Sequence, residues 1–255
     1  MQRVLFHKTI FGPIRSRRLG SSLGVNLSPD DGKLCSFDCL YCEAGFNAQG
    51  VGTTGFPSRE KIRTELRAKL ESMKQNGEQL DVITFSGNGE PTLHPQFDAI
   101  IDDTISLRNE FFPDVKISVL SNSTRLHKPE VCAALTRVDN NILKLDSAIE
   151  STMRKIDRPV SPTFTVESVT RQLKQFSGQG IIQTMILRGE GIDNSTDEEV
   201  SALIKVYNDI RPRSIMIYSI ARKTPDETLQ AVNHDELKTI ADRIERETGI
   251  PVSVA

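Results

Sequence analysis

A chain of 255 residues, 37% of them apolar and 26% charged, has material for one large α/β domain or two small ones. No apolar run approaches the roughly 18–20 residues of a membrane span, and the opening MQRVLFHKTI lacks an apolar leader, so a cytoplasmic protein without membrane contact is expected. The formal charge of −2 gives no chain-wide attraction for nucleic acid.

Charge is uneven at the start. Residues 1–29 hold Arg3, Lys8, Arg15, Arg17 and Arg18 and no acidic residue. Residues 1–22 read as a basic N-terminal arm. It is either solvated, with its arginines paired elsewhere, or an anion-binding edge beside the cysteine-rich stretch that follows.

From there the pattern alternates strand and helix. Leu23 to Leu27 alternates and ends at Ser28-Pro29, a first strand, and residues 43–57 are rich in Gly and small polar side chains, a loop. A helix is predicted over Arg59 to Gln75 with Ser58 as N-cap, then a strand over Asp81 to Phe85. Pro95 to about Asn109 is helical, Val115 to Leu120 a strand, Pro129 to Arg137 a short helix, and Asn141 to Leu145 a fourth strand. Helical text fills roughly 149–156 and 164–177, and Ile181 to Leu187 is a fifth strand. The helix from Thr196 to Ile210 is expected to be capped by the box of Ser195 and Glu198. Ser214 to Tyr218 is a sixth strand, and the last helix, about His234 to Thr248, starts at Asn233 with Glu236 and stops at Gly249. Six βα units in series, with no linker or low-complexity tract, argue for a parallel sheet covered by helices in a single domain over 1–255. Periodicity alone does not separate a partial barrel from a doubly wound sheet.

Cys35-Ser36-Phe37-Asp38-Cys39-Leu40-Tyr41-Cys42 holds three of the four cysteines. An odd number of thiols packed this closely is no disulfide framework and points to soft ligands on one metal site. A structural zinc needs four ligands, and Cys132, His94 and His127 are distant and isolated in the sequence. A [4Fe–4S] cluster on three thiolates keeps one iron open for a substrate or cofactor. The competing reading is a three-cysteine zinc site completed by a remote residue, in a zinc-stabilised α/β binding protein. Cys132, in PEVCAALTRV, reads as a small buried hydrophobe.

The unusual residues otherwise follow the strands, where parallel sheets carry their sites. They are Ser86-Gly87-Asn88-Gly89-Glu90-Pro91-Thr92, Ser121-Asn122-Ser123, Asp146-Ser147, Arg188-Gly189, and Tyr218 with Arg222. Lys144 and Asp146 share a strand face by the period-two rule, as a functional pair or a merely buried one. The arginines are candidate clamps for a carboxylate or phosphate, or solvated loop residues.

The C-x3-C-x2-C spacing with an aromatic residue before the last cysteine resembles the radical S-adenosylmethionine (SAM) superfamily. The text GPIRSRRLGSSLGVNL, CSFDCLYCEAG and FSGNGEPTLHP resembles, over nearly the whole chain, an uncharacterised group of iron–sulfur oxidoreductases related to wyosine-forming tRNA enzymes. No cysteine precedes Cys35, so the second cluster of the archaeal wyosine enzymes has no counterpart in this sequence.

The resemblance implies a partial (β/α)6 TIM-like barrel with cluster and SAM at the C-terminal strand ends. It implies a [4Fe–4S] cluster on Cys35, Cys39 and Cys42, and SAM contacts from Tyr41, Gly87, Asn88, Gly89, Glu90, Asn122, Ser123, Asp146 and Ser147. The implied activity is reductive cleavage of SAM to a 5′-deoxyadenosyl radical that abstracts hydrogen from a substrate. A flavodoxin or ferredoxin would be the electron donor. The substrate is left open among a nucleotide or tRNA, a small metabolite, and a glycine on a partner protein, as for a glycyl-radical-enzyme activase.

Overall fold

The computed structural model describes residues 3–16, 19–189 and 191–255. Arg17 and Arg18, part of the expected basic arm, lie outside the described residues. In chain order the elements are β1 (Ile10–Ser16), β2 (Gly20–Val25), α1 (Arg59–Gln75), β3 (Val82–Phe85), α2 (Phe97–Phe111), β4 (Lys116–Ser121) and α3 (Pro129–Arg137). They continue with β5 (Asn140–Lys144), α4 (Glu150–Asp157), α5 (Val166–Leu173), β6 (Ile181–Met185), β7 (Leu187–Gly189), β8 (Ile192–Asp193) and α6 (Asp197–Ile210). The last are β9 (Ser214–Tyr218), β10 (Gln230–Ala231), α7 (His234–Thr248) and β11 (Val252–Val254).

Strand order decides between the two architectures. The main sheet runs β1-β2-β3-β4-β5-β6-β9-β11, so its neighbours follow chain order. Every pair from β2 to β11 is parallel. A doubly wound sheet needs a reversal of strand order, and there is none. The result is the winding of a β/α barrel left open. Among the described residues β1 and β11 form its two edges, and six βα units are followed by β11 as an additional parallel strand.

Period-two alternation gives the sheet two unlike faces. Leu23, Ile83, Ile117, Leu143, Ile182 and Ile215 lie on the side packed under the helices, within one large apolar core. The opposite register carries Ser22, Thr84, Ser118, Lys144 and Gln183, a polar concave face. There Ser22 and Thr84 share a hydroxyl hydrogen bond of 2.8 Å, and Asn140 donates to the Ser118 hydroxyl at 3.0 Å. Helices fit the outer face for the usual reason. Ile62, Leu66, Leu70 and Met73 of α1 fall on one stripe and are buried.

The basic arm is more structured than its composition implied. Residues 10–16 form β1, antiparallel to β2, with Ile10 opposite Val25 and Arg15 opposite Ser21. That register carries Arg15 to the N-terminal end of β2, away from the carboxyl ends where the cysteines lie. The expected anion-binding edge beside the cysteine loop is therefore not formed by Arg15. Arg3 does reach the loop region, donating to the Gln49 carbonyl at 3.4 Å.

Helix starts at Ser58 and Asn233 are as expected, each side chain accepting from the third helical N–H. The α6 cap is shifted by one residue. Thr196 Oγ1 accepts from Glu199 N, because the Ser195 hydroxyl is engaged with Asp193 and Arg188. Among the described residues no helix is long and apolar enough to cross a membrane.

Candidate functional site

The cysteine loop leaves β2 and returns to the sheet by backbone pairing. Leu34 N donates to Asn88 O at 2.9 Å and Glu90 N donates to Leu34 O at 3.1 Å. A Cβ on Gly89 would stand 1.8 Å from the Leu34 carbonyl oxygen, so glycine is required for this approach. Gly89 thus serves the chain's own backbone.

A second set of bonds grips the loop from α4. Leu40 N donates to Ile156 O at 3.0 Å, Asp38 N to Asp157 O at 3.0 Å, and Val160 N to Ser36 O at 2.9 Å. Within the loop, Cys42 N donates to Cys39 O at 3.1 Å. Cys35, Cys39 and Cys42 are all free thiols. Among the described residues no group of three His, Cys, Asp or Glu side chains is set to hold a single metal ion.

Several hydrogen-bond donors and charges point at the sulfurs. Phe37 N donates to Cys35 Sγ at 3.4 Å, Asn122 Nδ2 lies 3.5 Å from the same sulfur, and Lys144 Nζ lies 3.7 Å from Cys39 Sγ. Burial, with the negative charge of Glu90 next, pushes the Cys35 thiol up to about 12, and burial likewise pushes Cys39 well up. Both are thiols until a metal displaces the proton.

Lys33 is 1% exposed. Its ammonium donates to Gly45 O at 2.8 Å and pairs with Asp38 at 3.2 Å. Burial works to lower its pKa, but Cys42, Cys35, Cys39 and Asp38 together raise it, so it stays charged. Sequence reading missed Lys33 and Asp38. The available signal was a lysine two residues before the first cysteine and an acid between the ligands.

Glu90 is 3% exposed, and four donors claim its carboxylate. Thr92 N and Oγ1 donate to Oε1 at 3.1 and 2.5 Å, Ser121 Oγ donates to Oε1 at 2.9 Å, and Asn122 N donates to Oε2 at 2.7 Å. Burial raises its pKa against these donors. The side chain ties the loop after β3 to the end of β4. Asn88, wholly buried, is similarly occupied: it donates to Phe6 O at 2.9 Å and Pro29 O at 2.8 Å and accepts from Phe6 N at 2.8 Å.

Asn122 Nδ2 also donates to Ser36 Oγ at 2.9 Å. Ser123, in the left-handed region at φ 69°, donates to Lys144 O at 3.3 Å. Ser147 Oγ donates to buried Glu199 at 2.6 Å.

Lys144 and Asp146 belong to a larger buried group. Lys144 Nζ lies 3.3 Å from Asp146 and 3.7 Å from Asp157, and stands over the Tyr41 ring. The Tyr41 hydroxyl bonds both Asp146 and Lys144. Burial opposes the Lys144 charge, yet Asp146, Cys39 and Asp157 raise its pKa well above that of a free lysine. Burial and Asp146 push Asp157 well up. Asp157 also accepts from the Cys39 thiol at 3.5 Å, a contact made 118 residues apart in the chain that the sequence did not signal.

The two loop arginines are committed. Arg188 bonds Glu236 at 2.9 Å, Ser195 at 2.8 Å and Asp193 at 3.2 Å, which fastens β7 to α7. Arg222 pairs with Glu43 at 2.6 Å, joining the segment after β9 to the cysteine loop. Tyr218 ends β9 and is half-buried. Cys132 Sγ, on α3, lies 3.1 Å from Leu126 O and takes no part in the site.

Parallel strands wound in chain order bring free thiols and buried charges together at the carboxyl ends of a barrel-like sheet. The chain belongs to the radical SAM superfamily, whose family model matches residues 32–212. It is 28% identical over 97% of its length to a protein of Brachyspira hyodysenteriae described as GTPase Obg, of which it covers 35%. It is 31% identical over 79% of its length to UPF0026 protein MJ1312 of Methanocaldococcus jannaschii, of which it covers 60%. The chain thus spans less than two thirds of either relative. In fold it is similar to the solved structure of TYW1 with a lysine-pyruvate adduct bound, at a TM-score of 0.61 and 16% identity, over 88% of this chain and 73% of that one.

Proposed function

We propose that this protein is an enzyme that cleaves SAM reductively at a [4Fe–4S] cluster held by Cys35, Cys39 and Cys42. The observation that carries this reading is the three-thiol loop, stitched by Leu34 to the Gly89 turn at the open end of a polar barrel face. Three soft ligands serve three irons of a cubane and leave the fourth for a substrate group. The donor set fits such a group, since N–H donors and two ammonium groups, buried Lys33 and half-buried Lys144, face sulfurs that would carry negative charge. Remote completion of a zinc site is disfavoured, because both ring nitrogens of His94 are taken by Pro57 O and Gln96 N.

When bound, cluster and SAM supply one-electron cleavage of the sulfonium C5′–S bond, giving methionine and a 5′-deoxyadenosyl radical that takes hydrogen from a substrate. The chain's own residues position and enclose. Glu90 braces the turn whose backbone, Gly87 to Glu90, is assigned to the SAM amino group. Asn88, Ser123 and Ser147 are fully buried, and their side chains are engaged within the chain, by Phe6 and Pro29, by Lys144 O and by Glu199. Half-buried Tyr41 is assigned to the mouth with Asp146, which holds its hydroxyl. Arg15, at the N-terminal end of β2, lends no support to a tRNA substrate.

Anaerobic reconstitution tests the reading. The expected product is brown protein with about four iron and four sulfide per chain, releasing 5′-deoxyadenosine from SAM under dithionite. Colourless protein with one tightly held zinc and no sulfide would sink it. Substrate candidates are then ranked by how far each suppresses unproductive 5′-deoxyadenosine release.

Glu90→Ala separates a brace from a direct SAM contact. Four donors lose their acceptor, and unsatisfied buried groups cost roughly 1–3 kcal/mol each. A fall in melting temperature is expected together with a roughly tenfold or greater loss of SAM affinity. Weaker SAM binding at an unchanged melting temperature would refute the brace.

A further inference from the structure

Polar side chains on the concave face of the sheet are mostly met from within the chain. Ser22 and Thr84 share a hydroxyl bond at 2.8 Å, and Asn140 donates to Ser118 at 3.0 Å and accepts from Arg213 at 2.9 Å. Gln183 departs from this. It sits at the middle of β6 and is 7% exposed, yet its side-chain amide makes no hydrogen bond among the described residues.

The direction of that side chain follows from its neighbours. Ile182 belongs to the apolar core under the helices, and Thr184 Oγ1 meets the hydroxyl of Tyr207 on α6 at 2.6 Å. Gln183, between them, therefore faces the opposite way, into the open barrel. In register it lies between Lys144 of β5 and Met216 of β9. Met185, one turn of the alternation nearer the carboxyl ends, gives its N–H to Asp146 at 2.9 Å. Gln183 is thus one row deeper than Met185 and Asp146, beyond the part of the barrel assigned to cluster and SAM.

A nearly enclosed amide costs free energy while it is unmet, and native chains leave few such groups. A carboxamide offers an acceptor oxygen beside two N–H donors in one plane. The partner that meets both kinds at once has its own N–H beside a C=O. An anion would satisfy the donors and leave the oxygen without a proton. Nor does this row hold a spare cation for an anion, because the Lys144 ammonium is shared by Asp146 at 3.3 Å and Asp157 at 3.7 Å. On the other side, half-buried Met216 supplies a soft apolar flank.

We propose that Gln183 is a specificity-determining residue and that the substrate carries into the barrel an uncharged amide edge, an N–H beside a C=O as in a lactam. The inference deepens the function proposed above and rests on it only in taking the bound molecule to be the substrate. Gln183 holds this edge by a reciprocal pair of hydrogen bonds and takes part in no bond-making step. A site built to bond such a pair discriminates strongly against analogues that lack one half of it, because its own buried groups are then left unmet.

The test uses 2-pyrrolidinone as the probe, with saturation-transfer NMR on the reconstituted holoprotein. Cyclopentanone keeps the C=O and lacks the N–H, and butyrate is the charged control. 2-Pyrrolidinone should bind about tenfold more tightly than either. Gln183→Leu and Gln183→Glu should both abolish that preference, the second because it keeps size and acceptor but loses the donors. SAM affinity should be unchanged in both variants. The melting temperature of Gln183→Leu should be no lower than that of the unaltered protein, since no internal hydrogen bond is lost. Equal binding of the three probes, or 2-pyrrolidinone binding unchanged in Gln183→Leu, would overturn the assignment. So would a lower melting temperature in Gln183→Leu, which would reveal an internal partner, or a loss of SAM affinity, which would place the amide in the SAM site. Holoprotein that prefers the lactam but releases no 5′-deoxyadenosine counts against the proposed function and not against Gln183.

Discussion

Replacing any one of Cys35, Cys39 or Cys42 by Ala should give protein that folds but retains little iron and sulfide and releases no 5′-deoxyadenosine. Each thiol in such a site serves its own iron, so a missing one is not covered by the other two. No substitute is at hand, because Cys132 sits on α3 against Leu126 O. Cys132→Ala should therefore match the unaltered protein in both measurements. Folding should survive in all four variants, since backbone bonds with Ile156, Asp157 and Val160 hold the loop without the sulfurs. Full iron content in Cys39→Ala, or its loss in Cys132→Ala, would discard the ligand assignment.

Lys33→Met should be the most damaging substitution outside the cysteines. The ammonium is 1% exposed and satisfies Gly45 O and Asp38 at once. Asp38 also accepts from Asn47 N at 2.6 Å, so the pair organises the segment that follows Cys42. Breaking a buried pair from one side costs about 3–5 kcal/mol. Asp38 keeps 24% exposure, which points to the lower end of that range. Removing the cation also leaves three sulfurs facing one fewer positive charge. A lower melting temperature, poorer cluster retention and a more negative reduction potential are expected together. Lys33→Met combined with Asp38→Asn should be less destabilised than the sum of the two single variants. A double variant that is simply additive would show that the two groups do not act as a pair.

Local features were the legible ones. Ser58 and Asn233 announce their helices because a cap is satisfied within three residues. The expected box of Ser195 and Glu198 gave way to a cap at Thr196, because the Ser195 hydroxyl is held by Arg188, a partner from outside the helix. β1 escaped because Gly12-Pro13 interrupts its alternation, and the ladder register shifts between Phe11 and Ile14. The three-residue β11 is specified by its pairing with β9 and not by its own text. At the site, the cysteines were readable from spacing. Lys33, Asp157 and the duties of Glu90 and Asn88 were not, because their meaning lies in partners brought near by the barrel. Asn88 typifies this. It sits in a turn that reads as ligand-binding, yet its amide is claimed by Phe6 and Pro29, some 60 to 80 positions earlier.

The pairing of Leu34 with Gly89 makes the metal loop and the glycine turn one piece of backbone. Two ligands seated on the two halves of a single piece are thermodynamically linked. Whatever factor the metal centre adds to the affinity of the turn for SAM, SAM must add to the retention of the metal centre. The equilibrium partition of iron between the chain and a chelator should therefore shift toward the chain when SAM is present, with no reductant and no turnover, by the same factor that separates the SAM affinities of the loaded and unloaded chains.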